Sequence, residues 1–309
     1  MDYVNDIEKV LEYVQKYKQS NQEIVVRMGL RMNGDLHIGN ILPILSCFIL
    51  GEKIIKLGYK YKIVIALVDV EDSGEQIPFI YQKDPSKKYK SLADYSIGKI
   101  KSFVEDVQNI KKNIRVEFHR VSNLLENLEF RGIIEDFLSQ KKHGSQINVL
   151  CNKCKSINRD WSILDKGISF TCEFCSLNQI LKLSEVEFAV DHDLLGAMED
   201  SFFPLDIHII GRDHELTDTN NRISSFEKRE FYASYFLRHR EYITFLTPLV
   251  LGRNKKKMSK SKKKGIFLER LKKQYGAEYA TKLYDFSKKI IGNQNEIINL
   301  NFVIENLLN

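Results

Sequence analysis

Four of the five cysteines form two closely spaced pairs that could bind a metal ion. Cys151 and Cys154 make the first Cys-x-x-Cys pair, and Cys172 and Cys175 make the second. Two such pairs supply four thiolates, the usual ligand set of a tetrahedral structural Zn²⁺ site. A site that has lost its metal would leave the same pattern, so the spacing predicts a zinc centre without proving one. Cys47 lies in an apolar helical run and is predicted to be a core residue.

A second chemical pattern, GDLHIGN at residues 34–40, is placed where a predicted strand turns into a helix. The N-terminus of a helix presents unpaired N–H groups and a partial positive charge, and both suit phosphate oxygens. His37 could donate to the same phosphates, and Gly39 would let an adenine ring lie against the backbone. A helix cap with a packing glycine would give the same pattern, so the segment predicts a nucleotide site only together with a second phosphate-binding element.

The positive charge of the protein is concentrated in one loop. The formal net charge is +6, but residues 253–264 contain eight Lys and Arg and no acid, which leaves −2 for the rest of the chain. This loop contains KMSKS at residues 257–261 and is followed by Gly265. Flexible lysines could close on a polyphosphate and stabilise the charge on departing pyrophosphate. A lysine run alone is more often a solvated surface or a nucleic-acid patch.

Apolar periodicity predicts the elements that must hold these motifs. The predicted strands cover residues 23–28, 62–68, 114–118, 185–190, 206–210 and 242–246. The predicted helices cover residues 7–17, a long segment from about 37, 92–109, 121–140 and 215–237, with two or three more after the basic loop. Strands that alternate with helices indicate an α/β fold. We predict a Rossmann-like parallel sheet split by a zinc-bearing insertion, with short C-terminal helices.

Two cellular locations are disfavoured by the sequence. The longest strongly apolar run, residues 41–50, is shorter than the roughly 18 to 20 residues that span a bilayer. Residues 1–6 are acidic and lack the apolar core of a secretory signal. We therefore expect a cytoplasmic protein without a membrane partner, and a reducing compartment favours zinc over disulfides at the cysteine pairs.

The HIGN and KMSKS motifs, at opposite ends of a split α/β domain, resemble the catalytic core of class I aminoacyl-tRNA synthetases. The resemblance spans residues 25–279 and includes further matches at 27–34, 68–72 and 211–214. It implies ATP, Mg²⁺ and an amino acid as ligands, with a tRNA acceptor end or another aminoacyl acceptor as partner. It also implies a two-step reaction, in which the amino-acid carboxylate attacks the α-phosphorus and forms aminoacyl-AMP and pyrophosphate.

Features of two related branches are mixed in this chain. Asn40, the two cysteine pairs and residues 211–214 are similar to the class I lysyl-tRNA synthetases. Residues 188–196, 219–222 and 248–252 resemble the glutamyl-type enzymes. The resemblance therefore extends to this pair of branches rather than to one of them.

The side-chain pocket implied by the resemblance matches neither branch completely. Arg27 matches a glutamyl-type arginine that contacts the substrate carboxylate, but Ile210 stands where a second arginine is expected. The lysyl-type aromatic positions carry Phe188 and His192 instead. Lysine is favoured over glutamate as the expected substrate.

The resemblance also implies roles for individual residues. The catalytic set is His37, Asn40, Lys257 and Lys260. The ATP-binding set comprises these four and Gly34, Gly39, Gly211, Asp213, His214, Met258 and Ser259. The amino-acid-binding set is Arg27, Gly29, Asp69, Asp72, Phe188, Asp191 and His192. Asp69 is the expected contact of the α-ammonium because it ends a parallel strand, although a capping or solvated carboxylate would look the same.

The motif positions predict four segments. Residues 1–145 form the first half of the catalytic domain, 146–182 the zinc-knuckle insertion, 183–253 the second half, and 254–309 the KMSKS loop and C-terminal helices. Residues 266–309 are too few for the helical anticodon-binding domain of the full-length relatives. We therefore expect a stand-alone catalytic core.

Three functions are compatible with these observations. The first is an adenylating ligase that passes an amino acid to a tRNA end, a tRNA base or a non-tRNA acceptor. The second is a nucleotidyltransferase of the same superfamily, which the zinc insertion and the glutamyl-like second half argue against. The third is a non-catalytic tRNA-binding paralogue, which the retention of His37, Gly39, Lys257 and Lys260 argues against.

Overall fold

A computed structural model describes residues 2–72, 74–139, 146–164, 167–212, 224–236, 242–251, 268–294 and 296–307. The strands, in chain order, are β1 (Asp2–Val4), β2 (Glu23–Arg31), β3 (Lys60–Val68), β4 (Arg115–Arg120), β5 (Ile147–Leu150), β6 (Ile157–Asn158), β7 (Ser162–Leu164), β8 (Gly167–Thr171), β9 (Asn178–Leu181), β10 (Phe188–Val190), β11 (Ile207–Gly211), β12 (Ile243–Thr247), β13 (Leu249–Leu251) and β14 (Ile297–Asn299). The helices are α1 (Ile7–Tyr17), α2 (Ile38–Lys56), α3 (Leu92–Ile110), α4 (Val121–Glu126), α5 (Leu128–Ser139), α6 (His192–Phe202), α7 (Ser225–Ala233), α8 (Leu268–Tyr275), α9 (Tyr279–Gly292) and α10 (Leu300–Leu307).

A six-stranded parallel sheet forms the centre of the protein. Its strand order is β1-β12-β11-β2-β3-β4, and every neighbouring pair is parallel. From β2 the chain proceeds outward through β3 and β4, and it later returns to the other side of β2 with β11 and β12. The predicted α/β fold with a Rossmann-like parallel sheet is therefore confirmed, and the order of the strands reverses between β2 and β11.

Helix α2 is the central helix of the core. Its 19 residues are apolar enough to pass a length and composition test for a membrane span, but 72% of the tested window is buried inside the protein. The apolar run at residues 41–50 is shorter than this helix, because α2 continues through the charged residues Glu52, Lys53 and Lys56 at its C-terminal end. Among the described residues, α2 alone passes this test, and its buried side chains belong to the main apolar cluster.

The cysteine-bearing insertion contains two small antiparallel sheets. One has the order β10-β5-β6 and the other has the order β7-β8-β9. We predicted residues 185–190 as a strand of the parallel sheet, but β10 pairs antiparallel with β5. This pairing extends the sheet structure of the insertion beyond the predicted boundary at residue 182.

The predicted helix at residues 121–140 is two helices in the structure. Asn127 has φ −69° and ψ 127°, an extended conformation that ends α4. Its side-chain oxygen accepts hydrogen bonds from the backbone N–H groups of Glu129 and Phe130, as an N-cap does at the start of a helix. The apolar pattern continues across this break, which explains why periodicity alone predicted one helix.

The C-terminal helices pack on the first half of the parallel fold. Tyr284 on α9 donates a hydrogen bond to Glu52 on α2, with 2.8 Å between the oxygens. Tyr279 donates to Asp106 on α3. Strand β14 pairs in parallel with β13, so the terminal segment adds a two-stranded sheet as well as the predicted helices.

We expect Leu45→Ala to lower the free energy of unfolding by about 2–5 kcal/mol, because Leu45 is completely buried on α2 and its loss leaves a cavity. Lys56→Ala on the same helix should change it by no more than about 0.5 kcal/mol, since the Lys56 side chain is 70% exposed. Urea unfolding of both variants measures the difference. Equal effects would contradict the placement of α2 in the core.

Candidate active site

A cavity lies at the point where the strand order reverses. It is open to solvent and lies between the carboxyl-terminal halves of β2 and β11 and the first turns of α6, with a volume of about 540 Å³ that includes its open mouth. Its walls are formed by Arg27, Gly29, Pro43, Val68, His192, Leu195, Gly196, Glu199, His208, Ile209, Ile210, Gly211 and Arg229. Ligands of open parallel sheets bind at this kind of switch point, so the cavity is the candidate substrate site.

Arg27 in the cavity wall is paired with two acids of α6. Its side chain is 3% exposed; Nη2 lies 2.5 Å from a Glu199 carboxylate oxygen and Nη1 lies 3.1 Å from Oδ1 of Asp200. The guanidinium also lies over the ring of Phe203, with 5.3 Å from Cζ to the ring centroid. A buried arginine needs such partners to offset the loss of its hydration, so the two carboxylates neutralise the charge of Arg27.

Arg229 completes the same buried ion network from α7. Its Nη2 lies 2.6 Å from Oδ2 of Asp200 and donates to the carbonyl oxygen of Gly196 at 3.2 Å. A Cβ atom at position 196 would lie 2.8 Å from Cζ of Arg229, so a side chain there would displace the guanidinium group from its present position. Tyr242, just before β12, donates to Oδ2 of Asp200 at 2.9 Å. The network therefore joins β2, α6, α7 and the entry to β12.

The buried network shifts the pKa values of two of its members. Burial alone would raise the pKa of Asp200, but the charge of Arg229 and the contact with His208 hold it well below its usual range. Burial and the nearby charge of Arg229 lower the pKa of His208 to about 4, although Asp200 acts in the opposite direction. Asp200 is therefore ionised and His208 is neutral near pH 7.

A second pair of side chains connects the end of β3 to the cavity. Nδ1 of His192, a residue of the cavity wall, lies 2.9 Å from Oε2 of Glu71. Nε of Arg31, the last residue of β2, lies 2.6 Å from the other oxygen of Glu71. The Glu71 side chain is completely buried, so its carboxylate holds His192 in a defined orientation in the cavity.

The predicted nucleotide segment lies at the start of α2. His37 is the N-cap residue, and its Nδ1 accepts a hydrogen bond from the N–H of Gly39 at 3.1 Å. In a neutral ring this places the proton on Nε2, which makes Nε2 a donor. Gly34 has φ +127°, a conformation that favours glycine, and its N–H donates to Ser96 at 2.9 Å. Oδ1 of Asn40 is buried and has no hydrogen-bond partner among the described residues.

The amino-acid-binding set of the sequence prediction is divided by the structure. Arg27, Gly29 and His192 line the cavity, together with Gly211 from the ATP-binding set. Four further residues lie outside the lining of this cavity, namely Asp69, Asp72, Phe188 and Asp191. Of the remaining predicted residues, Asp213, His214, Lys257, Met258, Ser259 and Lys260 lie outside the described residues.

The carboxylates of Asp69 and Asp191 have partners within the protein. Asp69 is fully buried and accepts hydrogen bonds from Nε of Arg120 at 2.8 Å and from the hydroxyl of Ser122 at 2.7 Å. Asp191 is the N-cap of α6 and accepts from the N–H groups of Asp193 and Leu194. Burial and the nearby carboxylate of Asp193 raise the pKa of Asp191. Oδ1 of Asp69 also accepts the backbone N–H of Ser122, in the first turn of α4, at 2.9 Å. The contacts of Asp69 therefore match the capping alternative predicted for it and add an ion pair with Arg120, whereas Asp191 caps α6.

Five residues near the cavity were missed by the sequence analysis: Glu71, Glu199, Asp200, His208 and Arg229. Each is charged or titratable and largely buried. His208 interrupts the apolar run of β11, and a polar side chain there was the available signal. The partners of the others lie on separate elements, so no local spacing indicates them.

The four predicted metal ligands come together in the structure. Their Sγ atoms all lie within 4.8 Å of one another, and Sγ of Cys151 and Cys175 are 3.6 Å apart, as are those of Cys154 and Cys172. Tetrahedral Zn²⁺ with Zn–S bonds of about 2.3 Å places its sulfurs about 3.8 Å apart. The donor set and the geometry therefore fit zinc.

Two buried side chains lie within hydrogen-bond distance of the cysteine sulfurs and can donate to them when these are thiolates. The hydroxyl of Ser156 lies 3.1 Å from Sγ of Cys154 and 3.2 Å from Sγ of Cys172. Gln179 accepts the N–H of Asn152 on its oxygen, which turns its Nε2 toward Sγ of Cys151 at 3.1 Å. Such donors offset the negative charge of four thiolates around one divalent ion. With four sulfur ligands, the centre has no open position for catalysis.

No protein-family model matches the sequence, and no curated protein matches it. The chain is similar to the tyrosyl-tRNA synthetase of Archaeoglobus fulgidus, solved with L-tyrosine, at 14% identity and a TM-score of 0.45, covering 86% of this chain and 68% of the other. It is also similar to the Aeropyrum pernix tyrosyl-tRNA synthetase at 14% identity and a TM-score of 0.47, covering 93% and 81%.

A third similar structure is a protein described as a putative arginyl-tRNA synthetase from Campylobacter jejuni. It is 12% identical with a TM-score of 0.42, and the match covers 90% of this chain and 66% of the other. None of the three comes from the lysyl or glutamyl branch that the motifs resemble. At these identities and scores they assign neither an activity nor a substrate to this chain.

The low pKa of His208 makes stability depend on pH. The unfolded chain binds a proton near pH 6.5, whereas the folded chain does so only near pH 4. The unfolded state thus holds more protons between these values, and stability falls as pH falls through them. The free energy of unfolding should fall between pH 7 and about pH 4.5 in the parent, and by about 2 to 3 kcal/mol less in His208→Gln. Urea unfolding of both proteins at the two pH values measures this difference. Parallel losses in both proteins would contradict the assignment.

We expect one zinc ion per chain, and we expect Ser156→Ala or Gln179→Leu to weaken zinc affinity by about tenfold or more, because each removes a donor to sulfur. Competition with a chromophoric chelator measures the affinity. Ser162→Ala, at an exposed position of β7, is the matched control and should keep the parent affinity. A folded parent protein without bound metal would contradict the zinc assignment.

Proposed function

We propose that this protein is an aminoacyl-tRNA synthetase-like ligase of the cytoplasm, which uses ATP to form an aminoacyl adenylate. The observation that carries the proposal is the juxtaposition at the switch point. The His37–Gly39 cap of α2, the end of β11 at Gly211 and the cavity all lie where ligands of parallel sheets bind. One end of this region suits phosphate, and the other is an open cavity lined by both charged and apolar residues.

The phosphates of ATP are proposed to lie at the N-terminus of α2. The backbone N–H groups there and the Nε2 proton of His37 would donate to phosphate oxygens. Gly39 leaves room for adenine, and Gly211 and Asp213 are proposed to hold the ribose. Lys257 and Lys260 would stabilise the charge on departing pyrophosphate. Mg²⁺, when bound together with ATP, would reduce the repulsion among the phosphate charges.

The amino acid is proposed to occupy the cavity, with its carboxylate toward the phosphates. Catalysis would then consist of positioning and charge stabilisation, and no protein nucleophile is needed. Arg27 is already paired with Glu199 and Asp200, so a substrate carboxylate would have to compete with two buried acids for it. This competition favours lysine over glutamate as the substrate.

The acceptor is proposed to be the end of a tRNA. A tRNA base or a non-tRNA acceptor remains the alternative, and a non-catalytic tRNA-binding paralogue is the alternative to an enzyme. The zinc knuckle would stiffen the insertion that meets the acceptor, since its closed sulfur site suits a structural role.

We expect ATP–pyrophosphate exchange with one amino acid, lysine first, when all amino acids are screened with and without tRNA. His37→Ala and Lys260→Ala should each reduce the exchange rate by about 10²–10³-fold, because each removes a donor to the developing charge. Lys282→Ala, at an exposed position of α9, is the control for the loss of a lysine and should leave the rate unchanged. Silence with every amino acid, with and without tRNA, would refute the adenylating function.

A further inference from the structure

Asp72, four residues beyond the end of β3, is bound on one side by the metal-binding insertion. Arg159 contacts it through two nitrogens, Nη2 at 2.6 Å from Oδ1 and Nε at 2.9 Å from Oδ2. Asn148 on β5 donates to the same Oδ2 at 2.7 Å. The Asp72 side chain is only 9% exposed, and a two-point Arg–carboxylate contact fixes orientation as well as distance. The insertion therefore donates three hydrogen bonds to the Asp72 carboxylate, which also accepts the N–H of Gly74 at 3.1 Å.

Arg159 is joined directly to the metal centre by its neighbours in the chain. Asn158, the residue before it, is fully buried and connects the two Cys-x-x-Cys segments. Its oxygen accepts the N–H of Glu173, which lies between Cys172 and Cys175, at 3.1 Å. Its Nδ2 donates to the carbonyl of Ser156, which follows Cys154, at 2.9 Å. Ser156 in turn contacts the cysteine sulfurs. Arg159 thus directly follows β6, whose Asn158 side chain is hydrogen-bonded to both cysteine-bearing segments.

On its other side, Asp72 is attached to the wall of the cavity. Its N–H donates to the carbonyl of Val190 at 2.9 Å, and it forms an isolated parallel bridge with Asp191. Asp191 immediately precedes His192, and Glu71, the partner of His192, immediately precedes Asp72. Both members of the Glu71–His192 pair are therefore direct chain neighbours of residues fixed by this bridge.

We propose that Arg159 is a positioning residue, which couples the metal-bound insertion to the orientation of Glu71 and His192 in the cavity. The proposal deepens the proposed function, because His192 matters to catalysis only if the cavity binds the amino acid. Without the Arg159 contact, the segment that carries Glu71 and Asp72 would keep the hydrogen bond from Asn148 but lose the two-point contact that fixes the orientation of the Asp72 carboxylate. Metal would then stay bound while the cavity wall loosened.

The test is Arg159→Met, which keeps an unbranched side chain and removes the charge, compared with Arg115→Met on β4, whose side chain is 67% exposed. We expect Arg159→Met to retain one zinc per chain. Hydrogen–deuterium exchange in peptides covering residues 69–77 and 188–196 should rise at least threefold, with no such change in Arg115→Met. Arg159→Lys, which keeps one contact to Asp72, should restore part of the protection.

Kinetics provides the second readout. We expect Arg159→Met to raise the KM for the amino acid about tenfold with little change in kcat, because the binding wall is altered and the phosphate site is not. Asp72→Asn should give the same changes in KM and kcat. The increase in KM in the double variant should be no larger than in either single variant, because both substitutions remove the same contact. If Arg159→Met loses zinc, Asp72→Asn is the deciding variant, since it changes no residue of the insertion.

Unchanged hydrogen–deuterium exchange in zinc-bound Arg159→Met, or in Asp72→Asn, would overturn the proposal. The hydrogen-exchange measurement needs no substrate, so its result is valid even if the adenylating function fails. Conversely, pyrophosphate exchange in the parent protein together with unchanged hydrogen exchange in these variants would keep the function and remove the coupling.

Discussion

The buried ion network of Arg27, Asp200 and Arg229 is the constraint on which the site depends. It places two guanidinium groups and the carboxylates of Glu199 and Asp200 beside the central strands, where hydration is lost. Removing one partner of such a network leaves an uncompensated buried charge, which typically costs about 3–5 kcal/mol. The network must therefore form completely. Once formed, it fixes α6 and α7 against β2 and gives the cavity a wall whose formal charges cancel.

The fold could be predicted from the sequence where apolar residues run continuously. Strands β2 and β3 are buried on both faces, as parallel strands between helices are, and α2 is apolar around most of its circumference. The break at Asn127 was missed because the apolar periodicity does not change there: the extended backbone of this one residue ends α4, and its side chain caps the start of α5. Strand β10 was assigned to the wrong sheet because its apolar run is compatible with either neighbour.

The site could be predicted where a motif is local. The cysteine spacing brought the four sulfurs together, and the segment at 34–40 forms the cap of α2. Whether Arg27 can contact a substrate depends on which side chains already pair with it, and the sequence does not show these. Its partners Glu199 and Asp200 are more than 170 residues away in the chain, and no spacing rule connects them. Charge compensation between distant elements is visible only after folding, and this is why Glu71, His208 and Arg229 were missed as well.

We propose that the switch-point cavity and the N-terminus of α2 together bind one aminoacyl adenylate, and a crystal structure with a non-hydrolysable lysyl-adenylate analogue is the decisive experiment. We expect the lysyl group in the cavity against His192 and Glu199, the phosphate mimic at His37, and the adenosine between Gly39 and Gly211. An analogue bound elsewhere, or a cavity left without it at saturating concentration, would refute this binding mode.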